Sequence, residues 1–196
     1  MTAMRITPPR LPSLIAAILV AASMTAVLGF QIEGRASILR DGTEVRLKTS
    51  PVDPRDLFRG DYVVLNYDIS TIPAALVTGP TPEPYTKARL WVRLKPDAEG
   101  LWIVSEASFA ELSSTDGSAV LRTLPLHVFD QQTSGSSYVV DYGIESYYVP
   151  EGEGLAIEEA RDQSKVTVAV RVSSSGEGQI RALIVDGKEV YSEPLY

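Results

Sequence analysis

From Leu11 to Phe30 the chain reads LPSLIAAILVAASMTAVLGF, twenty residues without a charge. An α-helix rises about 1.5 Å per residue, so a run of this length matches the roughly 30 Å hydrocarbon core of a bilayer. Arg5 and Arg10 precede the run, and Glu33 comes before the next basic residue, Arg35. The positive-inside bias then keeps residues 1–10 in the cytoplasm as a short tail and exports everything after Phe30. The expected location is a bacterial inner membrane crossed once, with the remainder extracytoplasmic, which in a Gram-negative cell means periplasmic. The competing reading is a cleaved signal peptide, whose apolar stretch is shorter, about 7–15 residues, and ends at a small-x-small site. Ala21-Ala22-Ser23 fits such a site, but it sits in mid-run and would leave the apolar start MTAVLGF.

Residues 31–42 read as a helical stalk. Ile32, Ala36 and Leu39 fall at i, i+4 and i+7, and Gly42 supplies a stop. A two-residue hairpin turn at Asp41-Gly42 is the alternative. The rest, residues 43–196, suffices for one domain with its own core.

That domain reads as mainly β, a single barrel or sandwich with one short helix. Glu44 to Thr49 alternates polar and apolar, and Ser50-Pro51-Val52-Asp53-Pro54 forces a loop. Asp61 to Ser70 is rich in β-branched and aromatic residues and predicts the clearest strand. Lys87–Lys95 and Leu101–Phe109 predict a hairpin about Pro96 to Gly100. Val120–Phe129 and Tyr138–Tyr148 predict further strands, and Glu151–Arg161 the helix. Lys165–Ser173 and Gln179–Val185 predict a second hairpin, with a last strand after Asp186-Gly187.

Charge and residue inventory narrow the chemistry. Taking Arg5 and Arg10 out of the whole-chain balance of −7 leaves −9 for everything after residue 10. So acidic a domain is a poor partner for nucleic acid or an anionic membrane surface. Without cysteine there are no disulfides, thiolate metal sites or cysteine nucleophiles. His127 is the single histidine, and Leu126 and Val128 beside it suggest an ordinary strand position. Glu151, Glu153, Glu158 and Glu159 lack the ligand spacing of a known calcium loop and suit a solvated helix start. Arg59-Gly60-Asp61 matches an adhesion tripeptide, but Asp61 begins a predicted strand rather than sitting at a loop tip. No cofactor and no metal are called for.

The run Gly60-Asp61-Tyr62-Val63-Val64-Leu65-Asn66-Tyr67 matches the pattern Gly-Asp-Tyr-x-x-Leu-x-Tyr in full. The chain thereby resembles the GDYxxLxY family of membrane-anchored bacterial proteins of unknown function. Pro51 to Arg59 and Gly143-Ile144-Glu145-Ser146-Tyr147-Tyr148 also look like that family, so the resemblance covers most of the chain after residue 30. It implies an N-terminal anchor and an exported domain, and it carries no established reaction. On a strand, Asp61, Leu65 and Tyr67 share one face and Tyr62 opposes them. Gly60, Asp61, Tyr62, Leu65 and Tyr67 are therefore either structural, with Leu65 and Tyr67 in the core, or part of a ligand or partner site. Tyr142, Glu145, Tyr147 and Tyr148 form a second candidate surface. They either line a groove, where tyrosine's apolar body and polar tip suit an interface, or fill a β core with hydroxyls at its edge.

A stretch with Pro54, Leu57, Gly60, Asp61 and Val63 in order is also reminiscent of type I signal peptidases, with one extra residue between Pro54 and Gly60. There the nucleophilic serine would fall on Pro51 or Val52, neither of which has a hydroxyl. Ser50 is near but misplaced, and Lys87 and Lys95 lie in polar surroundings unsuited to a neutral general base. The expected function is a membrane-tethered, non-enzymatic binding module, held in the bilayer by residues 11–30 and partnered by another membrane or envelope protein. A serine-peptidase-like hydrolase and a purely structural β module are the alternatives.

Overall fold

The structure is a computed structural model that describes residues 12–51, 62–128, 137–149, 157, 160, 161, 163 and 165–194, with Tyr62 described by its backbone alone. Two compact units divide it, one ending at Ala36 and one running from Ser37. Helix α1, Ser13–Asp41, is unbroken, and its most apolar stretch has a mean hydropathy of 2.2, long and apolar enough to cross a membrane. The helix takes residues 37–41, so no hairpin forms at Asp41-Gly42. It stops at Gly42, whose amide bonds the Ile38 carbonyl at 2.9 Å. A Cβ there would lie 2.5 Å from that oxygen and 3.1 Å from the Val172 amide nitrogen, so close approach of two backbones requires glycine.

Among the described residues, fifteen short strands follow in the second unit. They are β1 Thr43–Ser50, β2 Tyr62–Val64, β3 Asn66–Tyr67, β4 Thr71–Pro73, β5 Val77–Thr78, β6 Lys87–Ala88, β7 Trp91–Pro96 and β8 Trp102–Ser108. The remainder are β9 Ala119–Arg122, β10 Leu126–His127, β11 Ser137–Val139, β12 Ser146–Tyr148, β13 Val166–Val172, β14 Gly178–Val185 and β15 Lys188–Ser192. A five-stranded sheet runs β15-β14-β13-β1-β3 and a four-stranded sheet β5-β8-β7-β9. Three two-stranded ribbons, β10-β6, β11-β4 and β12-β2, complete the pairing. No closed barrel forms among the described residues, and the arrangement is sandwich-like. Val45, Leu47, Val168 and Val170 of the larger sheet share one core with Val92, Leu94 and Leu121 of the smaller.

Local chemistry explains the elements. In β1 the alternation buries Val45, Leu47 and Thr49, and the Thr49 hydroxyl donates to the Val166 carbonyl at 2.7 Å. The β7–β8 hairpin closes through Asp97, whose Oδ1 accepts the Glu99 and Leu101 amides, both at 2.9 Å, while Gly100 adopts φ +81°. The β13–β14 hairpin pairs as its alternation predicts, with a bulge between Ala169 and Val170. Lys87-Ala88 is not part of β7 but pairs separately with β10.

The predicted strand from residue 61 to 70 is instead three pieces. Strand β2 pairs with β12, β3 pairs with β1, and Asp68–Ser70 closes into a 3-10 turn. The chain changes partners at Leu65, whose amide bonds the Glu145 carbonyl at 2.8 Å. Face alternation survives the change: Val63, Leu65, Tyr67 and Ile69 are all buried. The predicted strand at 138–148 likewise divides into β11 and β12 about Gly143, which has φ +84°. Of the predicted helix at 151–161, Ile157, Ala160 and Arg161 are described and helical.

Candidate functional site

The signature strand and the segment 137–149 form one construction. β12 lies antiparallel to β2, with Ser146 opposite Val64, Tyr147 opposite Val63 and Tyr148 opposite Tyr62. Two tyrosines then lock the segments reciprocally. The Tyr67 hydroxyl donates to the Ile144 carbonyl at 2.6 Å, and the Tyr142 hydroxyl donates back to the Ile69 carbonyl at 2.7 Å. Both rings are buried, so each pair exchanges a hydrated carbonyl for an internal bond in a low-dielectric core. Burial first, and the Glu145 charge second, push both hydroxyls above the usual tyrosine range. They are protonated donors, not nucleophiles or bases.

Glu145 is half-buried at the centre of this lock. Its carboxylate accepts the Tyr142 amide at 2.5 Å and the Gly143 amide at 2.8 Å, holding the left-handed turn at Gly143, while its carbonyl takes the Leu65 amide. Tyr147 faces the core, and its hydroxyl is pushed up to about 12 by burial and then by the Glu193 carboxylate, to which it is hydrogen-bonded. Tyr148 points outward and is 81% exposed. Gly60 and Asp61 lie outside the described residues, as does the side chain of Tyr62. So do Glu151, Glu153, Glu158, Glu159 and most of the Arg59-Gly60-Asp61 neighbourhood.

The sequence reading missed Arg161. It is 2% exposed, and its guanidinium donates to the Val64 carbonyl at 2.6 Å, adding a third tie to the signature strand. The one sign of it in the sequence is its i+4 spacing from the buried Ile157. The reciprocal tyrosine bonds join residues 77 and 73 positions apart, a pairing that no local pattern carries.

The other candidates sit apart from the lock. The Ser50 hydroxyl donates to the Asp68 carboxylate, and Lys48 lies 4.0 Å from the same group, so the neighbour of Ser50 is an ion-paired acid rather than a neutral amine. Lys87 and Lys95 are exposed, and His127 is exposed on the two-residue β10. Among the described residues, no group of three or more acidic or histidine side chains is arranged to hold a metal.

An apolar helix, then a sandwich-like domain in which Leu65 and Tyr67 of the signature lie in the core and Tyr67 is latched to a distant segment, defines the class of protein. The chain belongs to the GDYXXLXY protein family, whose model matches residues 24–183. No curated protein and no solved structure matches it.

Proposed function

We propose that the chain is a membrane-tethered binding module, anchored by residues 11–30, with its β domain on the extracytoplasmic side of a bacterial inner membrane, and that its partner is another membrane or envelope protein. The observation that carries this reading is the outward face of the latched segment. While Tyr138, Val140, Tyr142, Ile144, Tyr147 and Val149 fill the core, Val139 is 73% and Tyr148 81% exposed. Large apolar side chains held out by a hydrogen-bonded segment are the anchors that interfaces use. A photo-crosslinking residue at position 148 in intact cells tests it, with position 103, 52% exposed on β8, as the comparison. The reading expects an adduct with a membrane polypeptide from 148 and none from 103. Equal background at both positions refutes it.

A structural β module is the second reading, favoured by the internal satisfaction of Tyr67, Tyr142 and Glu145. It expects Tyr148→Ala to leave partner capture and cell phenotype unchanged, whereas the binding reading expects loss of both.

A further inference from the structure

Between β5 and β6 the chain reads Gly79-Pro80-Thr81-Pro82-Glu83-Pro84-Tyr85-Thr86, outside every sheet and, but for half-buried Pro82, exposed throughout. Each proline fixes its own φ at about −65°, and Thr81 and Glu83, each followed by a proline, are pushed to extended or polyproline-II backbone. Residues 80–84 therefore lose little freedom when a partner grips them.

The segment ends in a turn that is tightly held. The Glu83 carbonyl accepts the Thr86 amide at 3.4 Å and the Thr86 hydroxyl at 2.6 Å, while the Tyr85 amide donates to the Val128 carbonyl at 2.6 Å and the Val128 amide to the Thr86 carbonyl at 2.9 Å. Those bonds hold Tyr85 at φ +65°, a left-handed conformation that a turn with proline second ordinarily gives to glycine or asparagine. Among the described residues the other non-glycine residue at positive φ is Asp186, which precedes Gly187 in the β14–β15 hairpin, where the turn itself calls for that conformation. No hairpin explains Tyr85. Its ring is 78% exposed and makes no hydrogen bond or ring contact among the described residues, so the fold keeps a bulky residue in an unfavourable backbone state and gains no packing from it. Glu83, Lys87 and Arg89 are the charges of residues 79–89, all exposed, one acid against two bases, so contact here rests on rings more than on charge.

We infer that residues 80–85 are a preformed polyproline-type ligand, with the Tyr85 ring as its terminal anchor, for an aromatic-lined groove on a partner protein. This goes beyond the outward face of residues 137–149, with which it shares no residue. Proline rings pack flat on aromatic faces, a restricted extended segment loses little entropy on docking, and an exposed tyrosine adds apolar area with a polar tip.

A photo-crosslinking residue at position 81 of the full chain, in intact cells, tests this, with position 116 at the exposed Asp116-Gly117 turn as the comparison. The expected result is a polypeptide adduct from 81, absent from 116, whose attachment peptide on the partner carries Trp, Tyr or Phe. Tyr85→Gly cuts the yield at least about fivefold, while the urea midpoint holds or rises because glycine relieves the left-handed backbone. Pro80→Ala/Pro82→Ala frees the backbone, leaves Tyr85 in place and cuts the yield at least about threefold. No adduct from 81, attachment to lipid or to a segment without aromatic residues, or a yield held within about twofold by either variant overturns the inference. A lowered midpoint in Tyr85→Gly puts the tyrosine in the service of the fold and overturns it as well. An adduct from 81 with none from 148 leaves this ligand standing and removes the outward-face reading, and an adduct from 148 with none from 81 does the reverse.

Discussion

Replacing Tyr67 by Phe removes one oxygen from the signature and nothing else. The ring stays the same size, so packing in the core is nearly unchanged, and the loss is confined to the bond with the Ile144 carbonyl. That carbonyl is left buried without its donor, which costs about 1–3 kcal/mol. Tyr142→Phe strips the Ile69 carbonyl in the same way and costs a similar amount. Because both hydroxyls clamp the same two segments, release of one loosens the other. The double variant should therefore cost less than the sum of the singles, with a coupling of at least about 0.5 kcal/mol. Urea unfolding of the full chain in nanodiscs, followed by tryptophan fluorescence, reads these differences. Both tryptophans, Trp91 and Trp102, lie in the β unit, so the signal reports on that unit rather than on α1. Tyr85→Phe, altering an exposed ring, is the control and should stay within about 0.5 kcal/mol. Tyr67→Phe falling within that same margin, or strict additivity of the two variants, would refute the reciprocal lock.

Alkali should weaken the fold in a defined window. The folded protein holds the Tyr147 proton to about 12 against an ordinary 10.0, so stability is fully present below about pH 10 and is lost as pH rises through 12, with Tyr67 and Tyr142 pushing in the same direction. Tyrosinate absorbance and unfolding should then move together, and flat stability across that window contradicts the burial argument. Gly42→Ala places a methyl against the Ile38 oxygen and the β13 backbone and should destabilise by about 1–3 kcal/mol; an unchanged urea midpoint would show that the helix end is not tightly seated. Glu145→Ala leaves the Tyr142 and Gly143 amides without their acceptor and should cost about 1–3 kcal/mol, whereas Glu111→Ala, at an exposed position, should stay within about 0.5; equal effects from the two would contradict the turn-holding role of Glu145.

What the sequence made legible follows the range of each interaction. The apolar run of α1, the alternation of β1 and the Asp97 turn are set by neighbours a few residues apart, and each reads directly from the chain. The alternation of Val63, Leu65, Tyr67 and Ile69 also read correctly, because facing the core has the same period whichever sheet a strand joins. The division of that run did not, since the partner exchange at Leu65 depends on Glu145 and on β1. Within the candidate site, the two tyrosine-rich segments were visible as clusters, but their reciprocal bonding and the entry of Arg161 beneath Val64 arise only in the folded core.

The signature acts as the latch that shapes residues 137–149. Hydrogen exchange of the full chain in nanodiscs, compared between the native sequence and Tyr67→Phe, measures this directly. Faster exchange concentrated in 137–149 and at Leu65, with β13 and β14 unchanged, is the expected result. Exchange unaltered in that segment, or raised evenly across both sheets, would contradict it.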